Sequence, residues 1–102
     1  MTAVLCHATC ILLKTKVDGK LLVEGKTWTG FANSEEQYAD AFVGKRIQPF
    51  WIEEEARKLK GTNFTVRGRF KPHAVREGHL ITGQQQYSGD AVAQQVIEAL
   101  GV

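Results

Sequence analysis

The run Ala3-Val4-Leu5-Cys6-His7-Ala8-Thr9-Cys10-Ile11-Leu12-Leu13-Lys14 decides how this chain is read. Ala3-Val4-Leu5 has the pattern of a short apolar β-strand, Cys6-His7 follows at once, and Ala8 to Lys14 can begin a helix. Strand, reactive side chain, helix is the layout of a nucleophile elbow. Its sharp turn exposes one side chain and aims a helix N-terminus at it, which favours thiolate over thiol. Such a turn normally follows several strands and helices, and here it opens the chain.

Cys6 has a plainer reading as a small buried hydrophobe. His7 is ambiguous too, because neighbouring side chains on a regular strand point to opposite faces. A sharp turn at Cys6 would instead bring imidazole and thiol together, and a base so placed needs an orienting group. Glu35 and Glu36 follow a segment that can lie beside the elbow strand. An acid there would orient His7 and stabilise its cation. Read locally, either one is a helix-capping acid near a dipole.

Working outward, 102 residues fit one domain, residues 1–102, with 43% hydrophobic and 24% charged residues. The net charge of +2 comes without a Lys/Arg cluster, which argues against a nucleic-acid role. No apolar run approaches the ~20 residues of a membrane span, so no membrane role is expected. The first residues lack the pattern of a signal peptide, so the expectation is a cytoplasmic, reducing setting with Cys6 and Cys10 as free thiols. Asn63-Phe64-Thr65 matches a glycosylation sequon and, in that setting, reads as chance.

Asp18-Gly19 marks a turn, and Thr27 to Phe31 alternates as a strand. Ser34 with Glu35-Glu36 predicts a helix over about Glu35 to Phe42, ended by Gly44. Pro49 suits a first helical position; Ile52, Ala56 and Leu59 fall on one face, and Gly61 ends that helix. Glu53–Arg57 and Glu54–Lys58 are spaced as ion pairs, and Glu53-Glu54-Glu55 reads as a solvated face. Asn63 to Val66 reads as a strand, and Ala74 to Thr82 as two strands about Glu77-Gly78. Ser88 or Asp90 caps a last helix over Ala91 to Leu100, with Gly101 just past its end. That helix is apolar across two rows, so it expects to be covered.

Other chemistry is weaker. Cys10 reads as structural; one helical turn from Cys6, its Cβ would be roughly 5–6 Å away, too far for a disulfide. Cys6, His7, Cys10, His73 and His79 match no common zinc spacing. Phosphate-loop and dinucleotide patterns are absent, so no cofactor is expected. His79 reads as an exposed turn residue, and Trp28, Phe31 and Trp51 as core.

Several segments together resemble the ThiJ/PfpI superfamily. They are Val4-Leu5-Cys6-His7, the stretch from Asp18 through Thr27-Trp28-Thr29-Gly30-Phe31, Ser34-Glu35-Glu36, Pro49 to Glu55, and Val75 to Gln84, in the right order over nearly all the chain. They are most similar to the branch holding the heat-shock-protein-thirty-one chaperones and glyoxalases. The resemblance implies an α/β, flavodoxin-like, class I glutamine amidotransferase-like three-layer sandwich. It implies a Cys nucleophile at Cys6, His7 as its partner, and the family's acid at Glu36. It also implies glutathione-independent glyoxalase, deglycase or related hydrolase activity on a small-molecule aldehyde such as methylglyoxal, or a holding-chaperone role.

The chain departs from the family's usual pattern in three ways. Ala8-Thr9 stands where the family has Gly-Pro, and Ala8 is strained if its φ is positive. Gln85-Gln86-Tyr87 replaces Asn-Pro-Ala in the later loop. The segments before the elbow strand, which in the family supply a glutamate near the cysteine and an oxyanion N–H, have no counterpart. The expectation is therefore a C-terminal half, as a truncated product, a fragment or one subunit of a split protein. It would bury an open sheet edge by homo-oligomerisation or against a missing N-terminal half. The competing reading is a catalytically inactive half-domain with a chaperone-like or oligomerising role.

Overall fold

A computed structural model describes residues 1–101. The elements run β1 (Thr2–Leu5), a 3-10 helix (Cys6–Leu13), β2 (Lys16–Val17), β3 (Lys20–Leu21), β4 (Thr27–Trp28), α1 (Asn33–Val43), α2 (Ile52–Lys58), β5 (Asn63–Phe64), β6 (Ala74–Glu77), β7 (Leu80–Gly83), a 3-10 turn (Gln86–Ser88) and α3 (Gly89–Leu100). The organising strand is β7. It lies between β1, which it pairs in parallel, and β6, which it pairs antiparallel, so that all four of its residues are buried.

The register places Val4 beside Thr82 and Leu5 beside Gly83. Side chains alternate across the sheet. Leu80 points into a core with Leu12, Val23, Trp28, Phe31, Ile52, Ala56 and Phe64. Trp28 and Phe64 meet edge to face, with centroids 4.8 Å apart. Gly83 points the other way, onto α3. A Cβ there would stand 2.7 Å from Val92 Cγ2 and 2.9 Å from Leu5 Cβ, so the missing side chain is what lets α3 seat this closely.

The Asp18-Gly19 turn forms as its sequence predicts, with φ of 52° and 82°, both positive as a type I′ hairpin turn requires. The last hairpin turns through Gly78-His79, one residue later than the expected Glu77-Gly78, because Glu77 is still paired with Leu80. Three helix starts differ from expectation. The elbow helix is a 3-10 helix that begins at Cys6 itself. In α1 the N-cap is Ala32 rather than Ser34, and in α2 the first helical residue is Ile52, leaving Pro49 outside. At α3, Ser88 occupies the N-cap, yet its hydroxyl donates to Gln85 Oε1 at 2.7 Å instead of capping. Gly44 and Gly101 close α1 and α3 in the left-handed region, while α2 stops at Lys58, short of Gly61.

The strand expected over Thr27 to Phe31 is only two residues long, because past Trp28 the backbone bonds to side chains. Thr29 N–H donates to Thr82 Oγ1 at 3.0 Å, while at the start of the strand Thr27 N–H donates to Glu77 Oε1 at 3.0 Å. The strand expected over Asn63 to Val66 narrows to β5, which pairs in parallel with β4. Glu53 pairs with Arg57 as spaced, but Lys58 pairs with Glu55 rather than Glu54. Among the described residues, β1 is bonded to β7 alone, and its other edge carries no strand. On α3, Val92 is buried while Ile97 and Leu100 are exposed, so the helix is covered along one of its two apolar rows.

Candidate active site

The site starts from a strained residue. Cys6 has φ of 59°, a left-handed conformation that costs a non-glycine residue about 1–2 kcal/mol. The strain comes from passing directly from β1 into a tight helix. Thr9 holds the turn: its buried hydroxyl donates to the Cys6 carbonyl at 2.7 Å. Ala8 is not at positive φ, so the conditional cost there does not arise; the left-handed residue of the turn is Cys6 itself. Thr9 also explains Gly30, since any Cβ there would collide with the Thr9 hydroxyl. That close approach brings Phe31 onto the His7 ring, stacked with centroids 4.0 Å apart.

The turn swings Cys6 and His7 to the same side. Cys6 Sγ lies 3.7 Å from His7 Nδ1, and His7 Nε2 stands 3.3 Å from both carboxylate oxygens of Glu36. The hydrogen bond with Cys6 raises the His7 pKa above its ordinary 6.5, and Glu36 adds to the rise against the opposing effect of burial. Burial lifts the Glu36 carboxyl above its ordinary 4.5, and His7 pulls it partly back. Beside this pair, a cavity of about 60 Å³ is lined by His7, Cys10, Gln48, Phe50 and Ile52.

Glu35, the other acid, turns away from His7. Its wholly buried carboxylate accepts from Ala32 N at 3.0 Å, Phe70 N at 2.9 Å, Gln84 Nε2 at 3.1 Å and Gln85 Nε2 at 2.7 Å. The bond to Ala32 N is half a capping box, the half that needs no side chain on Ala32. Sequence reasoning missed the buried amides of Gln84 and Gln85. Their one signal was their place directly after the apolar strand Leu80–Gly83. His73 is engaged elsewhere, with Thr65 Oγ1 at 3.1 Å, and burial lowers its pKa. His79 lies at the far end of β7 from Gly83, so neither histidine joins Cys6 and Cys10. No helix among the described residues is long and apolar enough to cross a membrane.

No family model matches the chain. It is 29% identical over 104 residues to the glutathione-independent glyoxalase HSP31 of Saccharomyces cerevisiae, covering 98% of this chain and 44% of that protein. Among solved structures, the protein APC35852 superposes with a TM-score of 0.81 at 37% identity, over 97% of this chain and 43% of that one. Glyoxalase III of Candida albicans gives 0.71 at 26% identity, over 95% and 42%. The Rapid Encystment Protein of Francisella tularensis gives 0.82 at 22% identity, a likeness of fold alone, over 96% and 42%. The chain spans less than half the length of each of these proteins. The α/β, flavodoxin-like reading stands on these superpositions. In sequence and fold together, these likenesses support reading the chain as similar to a C-terminal half of a ThiJ/PfpI-type protein.

Proposed function

We propose that this chain carries the nucleophilic half of a cysteine-dependent, glyoxalase- or deglycase-like site for small reactive aldehydes. The observation that carries the reading is Cys6, held at positive φ with its sulfur 3.7 Å from an imidazole whose far nitrogen meets a buried carboxylate. Support also comes from two relatives named as glyoxalases. On methylglyoxal, the Cys6 thiolate adds to the aldehyde carbon and forms a hemithioacetal. His7 takes the proton from that carbon and returns it to the neighbouring one, which leaves a thioester of lactate. Water cleaves the thioester and frees Cys6, so that methylglyoxal and water become lactate without an external oxidant or reductant. Glu36 orients His7 and stabilises its cation during the transfer.

Two measurements test this reading. Alkylation by iodoacetamide, with mass spectrometry separating the two cysteines, should find Cys6 more reactive than Cys10. Lactate formation from methylglyoxal should exceed that of a Cys6→Ala control. Equal rates at background would end the enzyme reading for the chain by itself.

A second reading is favoured by the unpaired edge of β1 and by exposed apolar residues, Phe42 at 84% and Leu100 at 61%. In it, the chain acts as an assembly module that pairs with a second copy or with an N-terminal half, in a chaperone-like role. A sharp monomer boundary in sedimentation, with cooperative unfolding, would overturn it.

A further inference from the structure

We infer that Glu35 is the positioning residue of this site, locking α1 to the loop after β7 and so setting Glu36 against His7. The inference rests on the proposed Cys6–His7–Glu36 arrangement. It starts from α1, whose only buried side chains are the two acids Glu35 and Glu36. Most helices are fixed in rotation by an apolar stripe packed on a core. Here that stripe is missing, and the apolar Phe42 and Val43 are exposed. Something else must set the rotation of α1 about its own axis.

Glu35 has the contacts to do so. Its four donors come from three separate pieces of chain: Ala32 before α1, Phe70 between β5 and β6, and Gln84 with Gln85 after β7. Consecutive helical residues point about 100° apart. Glu36 therefore faces His7 only while Glu35 faces this group of amides. The other end of the tie reaches the elbow. Leu5 pairs with Gly83, so Gln84 follows β7 at the level where Cys6 follows β1. Gln84 is fixed in turn, accepting from Arg67 N at 2.7 Å and donating to Arg67 O at 3.1 Å. One carboxylate thus joins the strand level of the thiol to the helix turn that carries the acid.

The test reads His7 and Cys6 directly, apart from turnover. The titratable groups facing His7 are Cys6, Cys10 and Glu36, with Asp40 and Arg46 acting on Glu36. The His7 titration is followed by NMR, and Cys6 alkylation at pH 7 by mass spectrometry, in wild type, Glu35→Gln and Glu36→Gln. In Glu35→Gln an amide N–H₂ meets amide donors, α1 rotates, and His7 loses its acid. The His7 midpoint and the alkylation rate should then move at least half as far as in Glu36→Gln, with a cooperative melt retained. Gln85→Met, which removes one donor of the four, should move both readouts less and in the same direction. Wild-type values in a folded Glu35→Gln would overturn the inference, even with lowered stability. If Glu35→Gln does not fold, wild-type values in Gln85→Met would overturn it. Lactate at background with His7 and Cys6 responding to Glu35→Gln would remove the proposed activity and keep Glu35's role. Lactate formation with neither group responding would do the reverse.

Discussion

His7 Nε2 stands 3.3 Å from the Glu36 carboxylate, and the two side chains differ sharply in exposure, 44% for the imidazole and 2% for the acid. The base of the proposed site faces solvent while the acid behind it is shut away from water. Burial makes the acid expensive as an anion, and the imidazole offsets that cost most fully when it carries a proton.

The signs of the two shifts lead to a prediction on Glu36. The folded His7 pKa lies above its unfolded value, so its stabilising effect is complete below about pH 6.5 and is lost as pH rises through the folded value. The folded Glu36 pKa is also raised, so its ionisation works against the fold as pH climbs from 4.5 through the folded value. Glu36→Gln should therefore melt no lower than wild type at pH 8 while Cys6 alkylation slows. Melts from pH 5 to pH 8 check this; a large loss of stability at pH 8 would contradict the sign.

The strain at Cys6 predicts an order among its variants. Glycine adopts positive φ freely, so Cys6→Gly should be more stable than Cys6→Ala by about 1 kcal/mol, once its greater unfolded-state entropy is subtracted. Urea unfolding of the two proteins measures the difference, and the opposite order would mean that the turn relaxes.

Thr9 should couple fold to reactivity. Thr9→Val keeps the shape and removes the 2.7 Å bond to the Cys6 carbonyl, at an expected cost of about 1–3 kcal/mol. Alkylation of Cys6 should slow as the elbow loosens. A variant that loses stability but reacts like wild type would show that β1 and α3 hold the elbow without Thr9.

Gly83→Ala should destabilise by about 1–3 kcal/mol, because the new methyl meets Val92, Leu5 and the Cβ of Ser88, the last at 3.2 Å. The strain would push α3 off the sheet, and hydrogen exchange should rise first in α3 and β1. Uniform protection across the chain would count against that view.

Much of this was legible in the residues. Leu80-Ile81-Thr82-Gly83 reads as a strand because it is a short uncharged run rich in β-branched residues, and all four of its residues are buried. Asp18-Gly19 and Gly44 read as a turn and a stop because positive φ is a property of one or two residues. The short lengths of β4 and β5 were not legible. At β4 the N–H groups of Thr27 and Thr29 donate to the side chains of Glu77 and Thr82, which lie about fifty positions away in the chain. The start of α1 at Ala32 was hidden for a similar reason: its cap is the Glu35 carboxylate, and Ala32 itself carries no capping group.

By itself the sequence determined that a strand runs into Cys6-His7 and that a helix with two leading acids follows Gly30-Phe31, because apolar spacing, turn residues and helix signals act over a few neighbours. The resemblance of its motifs put the acid at Glu36. Only the tertiary structure decided how the two acids divide. Glu36 meets His7 and Glu35 meets the amides of Gln84 and Gln85, a choice set by the rotation of one helix. Hydrogen bonds from distant parts of the chain fix that rotation, and no local pattern encodes it.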